Sequence, residues 1–116
     1  MSIITKPQSI QKGTPATFTL SKVELASHPL IIADDYFNNT QNWCKIIVTY
    51  KSNVGNQYEL VEFDATSPVL EGIFLASDKA RNSFQVQQIE IVDFDGGIFT
   101  IERADLTVAD FDLTFV

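Results

Sequence analysis

The sequence predicts an all-β protein, a single-domain antiparallel β-sandwich of jelly-roll or Greek-key topology with about seven or eight strands. Short segments of alternating apolar and polar residues recur along the chain, turn-forming residues separate them, and long amphipathic helical runs are missing. The 116 residues correspond to one domain, and 45% hydrophobic residues suffice for a packed core. We expect a lead-in segment over residues 1–15 and the sandwich over residues 16–116.

The N-terminal part predicts one strand, a turn and a loop. Between residues 16 and 25, Phe18 and Leu20 alternate with threonines, which is the period of a strand with one buried face. A turn is expected next at Ser27-His28-Pro29, then an apolar segment over residues 30–37 and a polar loop over residues 38–42.

A central hairpin is predicted between residues 43–50 and 58–63, with its turn at Val54-Gly55. In this register apolar residues face apolar residues, and the charges at the open end are opposite, which supports the pairing. The predicted pairs are Val48 with Val61, Ile46 with Phe63, and Lys45 with Asp64. The predicted inward face comprises Cys44, Ile46, Val48 and Tyr50.

Two further segments precede the last hairpin. Residues 69–76 are apolar, and Gly72 followed by Ile73-Phe74 favours a strand over a helix, whereas residues 77–83 are polar and indicate a helical turn or a loop. Residues 84–94 are a strong strand whose alternation slips near Gln87-Gln88, so that either a bulge lies there or both faces are buried.

The last hairpin is predicted at Gly96-Gly97, because tight hairpin turns favour residues that adopt positive φ. Two registers compete. A Gly96-Gly97 loop pairs Phe94 with Phe99, Val92 with Ile101 and Glu90 with Arg103, and an Asp95-Gly96 loop pairs Val92 with Phe99 and Glu90 with Ile101. The first matches like with like and predicts an Arg103–Glu90 ion pair, so it is preferred. A final strand over residues 110–116 points Phe111, Leu113 and Phe115 inward.

Charge excludes several classes of partner. The formal net charge of −7, from 15 acidic and 8 basic residues, opposes binding to nucleic acid and to anionic membranes, and it is compatible with cation binding. No signal peptide and no membrane-spanning stretch is recognised, and one cysteine cannot form an internal disulfide. We therefore expect synthesis in the cytoplasm, with a final location that could be a virion or another extracellular particle.

Catalytic chemistry is not predicted. The single histidine, His28, lies in a predicted turn, and the single cysteine, Cys44, lies on the apolar face of a strand, with no motif around either. One histidine and one cysteine are too few for a zinc site, and glycoside hydrolysis by paired carboxylates usually needs a longer cleft than this chain builds. The expectation is a protein that is not an enzyme and needs no cofactor.

Two ligand sites are candidates. Asp93 and Asp95 form a D-x-D-G fragment of a calcium loop, and Asp34-Asp35 and Asp110/Asp112 are further pairs, although a solvated strand face or a charged edge is the simpler explanation of all of them. Trp43 and Tyr36 lie near polar amides and could stack a sugar ring, whereas the simpler interpretation of Trp43 is a core residue. The candidate carbohydrate-binding residues are Trp43, Tyr36, Asn38 and Asn42.

The run Ser83-Phe84-Gln85-Val86-Gln87-Gln88-Ile89-Glu90-Ile91-Val92-Asp93-Phe94-Asp95-Gly96-Gly97 resembles a pattern of galactose-binding-like jelly-roll domains, in which an aromatic-led strand ends in an Asp-containing glycine turn. The resemblance covers one strand and its turn. It implies a β-sandwich whose loops at one end often bind sugars or calcium, and such modules also occur in phage tails, fibres and adhesins. No ligand motif carries over to particular residues.

Two functions follow as hypotheses. The first is a non-enzymatic structural or adhesion component of a larger assembly, such as a phage tail, fibre or surface appendage, with protein partners or self-association. The second is a carbohydrate-binding module, with calcium as an optional ligand. A small hydrolase is remote.

Overall fold

The computed structural model describes residues 2–7, 9–11, 13–52, 57–74 and 83–114, and these form two packed antiparallel sheets, as the sequence predicts. The strands are β1 (Ile4–Thr5), β2 (Ala16–Leu20), β3 (Trp43–Ser52), β4 (Tyr58–Asp64), β5 (Leu70–Phe74), β6 (Ser83–Asp93), β7 (Ile98–Glu102) and β8 (Leu113–Thr114). The helices are α1 (Lys22–Ala26) and α2 (Pro29–Ile32), with 3-10 turns at Thr40–Asn42, Arg103–Asp105 and Val108–Asp110.

The smaller sheet has the order β1-β2-β5, and the larger has the order β4-β3-β6-β7, with β8 also paired to β6. Aromatic rings fill the space between the sheets. Phe74 stacks on Phe18 at 5.8 Å between centroids and meets Tyr50 and Phe84 edge to face. The Tyr50 hydroxyl donates to the Phe111 carbonyl oxygen at 3.0 Å, and burial, followed by the charge of Asp112, raises the pKa of Tyr50.

The N-terminal region corrects two predictions. The segment expected as a lead-in contributes β1, and Ile4 and Ile10 lie in the core, so the sandwich begins before residue 16. The strand predicted over residues 16–25 ends at Leu20, because the Ser21 side chain accepts a hydrogen bond from the Glu24 N–H and caps α1. Of the described helices, neither has the length and hydrophobicity that crossing a membrane requires.

The predicted pairing of β3 with β4 is confirmed, with Val48 opposite Val61, Ile46 opposite Phe63 and Lys45 opposite Asp64. Its turn, at residues 53–56, lies outside the described residues. The strand predicted within residues 69–76 is β5. A helical turn or loop is expected over residues 77–83, of which residues 77–82 lie outside the described residues.

The bulge predicted near Gln87-Gln88 is also present. The pairing of β3 with β6 steps from Thr49–Gln88 to Tyr50–Val86, so Gln87 is the additional residue. A second irregularity, between Trp43 and Lys45, allows Trp43 as well as Ile46 to point into the core. The break in alternation at Gln87-Gln88 therefore corresponds to a bulge in β6.

The predicted register of the last hairpin is wrong in both alternatives. The observed pairs place Val92 opposite Ile98 and Ile91 opposite Phe99, with Phe94 to Gly97 forming the turn. Asp93 closes this turn, since its N–H donates to the Gly97 carbonyl oxygen at 2.9 Å. Glu90 pairs with Thr100, so the expected Arg103–Glu90 ion pair does not form.

Arg103 instead binds Asp112 through two parallel hydrogen bonds of 2.9 Å. The same groups complete the backbone of β6 at Val86, whose N–H donates to Asp112 Oδ1 at 2.9 Å and whose carbonyl oxygen accepts from Arg103 Nη1 at 2.9 Å. Hydrogen bonding to Asp112 raises the pKa of Arg103. The ion pair thus fills the gap along β6 between its partners β7 and β8.

The C-terminal strand begins later than the predicted residue 110, because residues 108–110 form a 3-10 turn; among the described residues, Leu113–Thr114 pair with β6. Phe111 and Leu113 point inward as predicted, and Phe115 lies outside the described residues. Ile10 N–H donates to the Thr114 carbonyl oxygen at 3.0 Å, so the N-terminal segment holds β8 in place.

Replacing Asp112 by Ala removes the acceptor of the Val86 N–H and the partner of Arg103 together. We expect the free energy of unfolding to fall by about 1–3 kcal/mol, because polar groups in the sheet lose their partners. Urea unfolding followed by circular dichroism measures the change. The control is Glu62→Gln, which removes an exposed ion pair with Lys45 at 3.5 Å and should change stability by less than about 0.5 kcal/mol. Equal effects of the two variants would contradict the structural role of the pair.

Candidate functional site at the hairpin end

The structure brings the two predicted ligand sites into one region. Trp43 lies opposite Asp93 in the pairing of β3 with β6, and the Tyr36 phenol lies close enough to the Asp93 carboxylate for each group to shift the pKa of the other. Five residues at this end of the sandwich form what we call the hairpin-end surface: Tyr36, Asp93, Phe94, Asp95 and Ile98. Residues that the sequence assigned to a sugar site and to a calcium site are therefore neighbours.

The hairpin turn is built around the Asp93 side chain. Its Oδ1 accepts hydrogen bonds from the Asp95 N–H at 2.9 Å and the Gly97 N–H at 2.6 Å. Gly96 has a φ of 88°, in the left-handed region that favours glycine. A Cβ on Gly97 would lie 2.9 Å from Asp93 Oδ2, so glycine leaves room for the carboxylate. Both glycines thus serve a turn that a side chain organises.

Asp93 is charged and largely buried, with 9% of its surface exposed. Burial alone raises the pKa of a carboxyl group, but hydrogen bonds from the Gly97 N–H, the Tyr36 hydroxyl and the Asp95 N–H favour the ionised form and leave the pKa of Asp93 below its ordinary value. The same hydrogen bond, with burial and the nearby charges, raises the pKa of Tyr36. The pair is thus a protonated phenol donating to a carboxylate.

The loop before β3 holds Tyr36 in position. Asp34 Oδ2 accepts hydrogen bonds from the N–H groups of Tyr36 and Phe37, at 3.0 and 2.6 Å. Asn42 Nδ2 donates to the Tyr36 carbonyl oxygen at 2.9 Å. The Tyr36 ring meets the Phe37 ring edge to face at 5.1 Å, and Phe37 lies 5.5 Å from the Phe99 ring of β7. Hydrogen bonds and ring contacts therefore hold the loop that carries the exposed Tyr36 ring.

Of the two interpretations of Trp43, the structure supports the core position over the sugar platform. Its side chain is 1% exposed, and its Nε1 donates to the Phe37 carbonyl oxygen at 2.9 Å. Trp43 is a core residue that supports the loop, so its ring has no face available for stacking on a sugar. Of the other candidate sugar contacts, Asn42 is engaged by Tyr36, Asn38 is exposed, and the Tyr36 side chain is 44% exposed.

The predicted calcium ligands are also differently placed. Asp93 already accepts the turn N–H groups and the Tyr36 hydroxyl, which leaves Asp95 as the exposed carboxylate of the turn. Asp34 caps its own turn and Asp112 binds Arg103. Among the described residues, no three His, Cys, Asp or Glu side chains come together as a metal site would require.

Two residues of the hairpin-end surface were missed by sequence reasoning. Phe94 is 62% exposed and Ile98 is 55% exposed, whereas the preferred register placed Phe94 opposite Phe99 in a pair of apolar residues. The available signal was Asp93, because an Asp at the end of a strand often accepts hydrogen bonds from the turn that follows it. With Phe94 inside that turn, its ring projects into solvent.

His28 and Cys44 have local structural environments. His28 Nδ1 accepts a hydrogen bond from the Leu30 N–H at 3.1 Å and caps α2, and its Nε2 lies 2.7 Å from the Asp105 carbonyl oxygen, to which it donates. The Cys44 thiol is free and partly buried at the irregular start of β3. Neither lies on the hairpin-end surface.

The fold has a counterpart among solved structures. No protein-family model and no curated protein matches the chain. The structure of Cwp6 from Clostridium difficile is similar, with a TM-score of 0.61 and 15% sequence identity. The likeness covers 99% of this chain and 17% of the Cwp6 chain, so this chain spans a small part of that protein's length. At this identity the similarity shows the fold alone, and the class defined by fold and topology is a β-sandwich domain.

Trp43 gives a direct spectroscopic test of the site geometry, because it is the single tryptophan of the chain. We expect its emission to be blue-shifted relative to that of a solvated indole, and iodide to quench it poorly, since the ring is buried and its N–H is hydrogen-bonded. Emission and quenching of the native and urea-unfolded protein supply the comparison. A solvent-like spectrum in the native state would contradict the core position.

The lowered pKa of Asp93 makes stability depend on pH. Because the pKa in the folded state lies below the ordinary value of 3.8, the ionised carboxylate contributes stability that is present above that value and is lost as pH falls through the folded-state pKa. We expect Asp93→Asn to be less stable at neutral pH and to lose less stability on acidification from about pH 5 to pH 2.

Urea unfolding across this range measures both effects. Tyr36→Phe is the companion variant, because it removes one donor to the carboxylate and leaves the backbone donors, so its pH dependence should lie between those of wild type and Asp93→Asn. Identical pH profiles for wild type and Asp93→Asn would show that this carboxylate does not support the folded state.

Proposed function

We propose that this chain is a non-enzymatic interaction domain, a structural or adhesive component of a larger assembly such as a surface appendage, fibre or phage tail. It contacts its partner through the hairpin-end surface. The observation that carries the proposal is the combination of exposed apolar side chains with an ordered support: Phe94 lies exposed in the turn held by Asp93, and Ile98 lies exposed at the start of β7.

Binding energetics favour such a surface. Covering a large apolar side chain contributes about 1.5–3 kcal/mol, so Phe94 and Ile98 supply a useful hydrophobic contact. The hydrogen bonds that hold the turn and the 34–42 loop in the free protein reduce the entropy lost on association. The carboxylates of Asp93 and Asp95 place negative charge beside this contact, which favours a partner bearing cations or hydroxyl donors.

The similarity to a part of Cwp6 supports this role indirectly. A β-sandwich that matches 17% of a longer chain is of a size that serves as one module among several. The proposed location of this chain is outside the cell or on a released particle.

Carbohydrate binding is the second candidate. The exposed Tyr36 ring lies beside the Asp93 and Asp95 carboxylates, which is a combination of stacking surface and hydroxyl acceptors suited to a sugar. Trp43 takes no part in this version of the site because it is buried. Calcium is an optional addition at Asp95.

Light scattering of the purified protein over a range of concentrations, with and without calcium, tests the assembly role. We expect association that calcium leaves unchanged, or a monomer that binds its native assembly, and we expect Phe94→Ser with Ile98→Ser to weaken it at least tenfold. The control is Leu60→Ser on β4, where the leucine is 57% exposed but lies away from the hairpin end.

The second candidate has its own readout. Binding on a glycan array that Tyr36→Ala abolishes, while Phe94→Ser leaves it intact, would replace the assembly role by carbohydrate recognition. Equal loss of association in the hairpin-end and Leu60 variants would show that the contact lies elsewhere.

A further inference from the structure

We infer that the outer edge of β7 is a strand-addition site for an extended segment of another chain that carries lysine or arginine. The inference rests on the proposed function, and it names the class of partner that the interaction domain takes. In strand addition, backbone hydrogen bonds supply affinity and the alternating side chains supply selectivity.

The hydrogen-bond alternation of the hairpin shows which groups are available. Asp93 and Gly97 are a hydrogen-bonded pair, and such pairs alternate with non-bonded pairs along an antiparallel ladder. The pairing of β6 with β7 has no register shift, so Phe99 and Ile101 bond to β6. Three residues therefore direct their N–H and C=O groups away from β6: Ile98, Thr100 and Glu102. The ladder with β6 uses none of these groups.

The other sheet edges of the described residues are blunted. β5 approaches the edge of β4 at Glu62, because a Cβ on Gly72 would lie 2.9 Å from the Glu62 carbonyl oxygen. The edge strands β1 and β8 contain two residues each. β7 has five residues and contains none of the lysine, proline or bulge that usually protects an edge. The edge of β7 therefore lacks these protections.

The carboxylates around β7 favour a basic segment as the added strand. Glu102 lies on the edge itself, Glu90 lies beside Thr100 on β6, and Asp95 and Asp105 flank the two ends of β7. The nearby cation Arg103 is already paired with Asp112. A second copy of this chain, with a net charge of −7, would bring like charges together, whereas a basic segment would relieve them.

The face of the added strand is also defined. Ile98, Thr100 and Glu102 all project to the exposed side of the sheet, while Phe99 and Ile101 project inward. An incoming strand would place an apolar side chain beside Ile98 and a lysine or arginine beside Glu102, since neighbouring cross-strand pairs interact in this way. Ile98 belongs to the hairpin-end surface as well, so one partner segment can contact both features.

The probe is an end-capped eight-residue peptide that alternates lysine with valine, added at millimolar concentration to the isotope-labelled full chain. We expect shifts of the Ile98, Thr100 and Glu102 amide signals, and hydrogen exchange at these amides slowed about tenfold near saturation. The matched peptide with glutamate in place of lysine should produce neither effect. Raising the salt concentration should weaken binding of the lysine peptide.

Three variants separate the backbone from the charge. Thr100→Pro removes an outward N–H and no bond to β6, so the amide shifts should disappear, whereas Thr100→Ala should retain them. Thr100→Lys places a positive charge on the edge that repels the lysine peptide, so binding should be lost. This variant replaces Thr100→Pro in the test if the proline variant does not fold. Glu102→Gln should weaken binding about two- to fivefold.

Three outcomes overturn the inference. They are the absence of amide shifts with the lysine peptide, equal binding by Thr100→Pro, and protection of the Thr100 and Glu102 amides by self-association without any peptide, which would identify a second copy as the occupant of the edge. If Phe94-dependent association persists while the lysine peptide fails, the edge site is wrong and the proposed function stands. If the peptide binds while the Phe94 variant associates normally, the edge site stands and the hairpin-end surface is not the contact.

Discussion

The larger sheet depends on how strand β6 changes partners. β7 pairs with its C-terminal half and β8 with its first two residues, and between them Val86 faces neither strand. The Arg103–Asp112 pair occupies that gap and satisfies both backbone groups of Val86. Because Arg103 follows β7 and Asp112 precedes β8, one interaction connects the two strands to β6 and positions Phe111 and Leu113 in the core.

A second local constraint shapes the opposite end of β6. The Asp93 carboxylate gathers two N–H groups of its own turn and the hydroxyl of Tyr36, which comes from the distant 34–42 loop. That loop is anchored to the core by Phe37 and by the indole N–H of Trp43. Phe94 and Ile98 are therefore exposed next to a backbone that hydrogen bonds hold in place. The proposed function depends on this combination of an ordered backbone with exposed apolar side chains.

Both proposed contacts lie at the same end of the molecule. The hairpin-end surface presents exposed apolar side chains to a partner. The adjoining edge of β7 presents backbone hydrogen-bonding groups that have carboxylates nearby. Ile98 belongs to both, so a partner lying along β7 would reach the Phe94 side of the turn without a change of direction. This continuity is consistent with a module that is bound by a neighbouring subunit, and it requires no deep pocket.

Several features of the fold were readable from the residues. The alternation in residues 43–50 and 58–63 identified β3, β4 and their pairing, because a shift by one residue would have exposed every apolar side chain of a half-buried strand. The slip at Gln87-Gln88 revealed a bulge for the same reason. In contrast, the Ser21 cap ended β2 five residues before its alternation predicted, since a local side-chain hydrogen bond outweighed the strand pattern.

The sequence by itself determined the fold class, the central hairpin and most inward-facing residues, because side-chain periodicity reports which face is buried wherever strands pair with near neighbours. Only the tertiary structure decided the register of the β6–β7 hairpin, the partner of Arg103 and the burial of Trp43. The competing registers offered similar cross-strand pairs, so the choice depended on contacts that periodicity does not encode. Those contacts were the Asp93 side chain within its turn, Tyr36 from another loop, and Asp112 from the C-terminal segment.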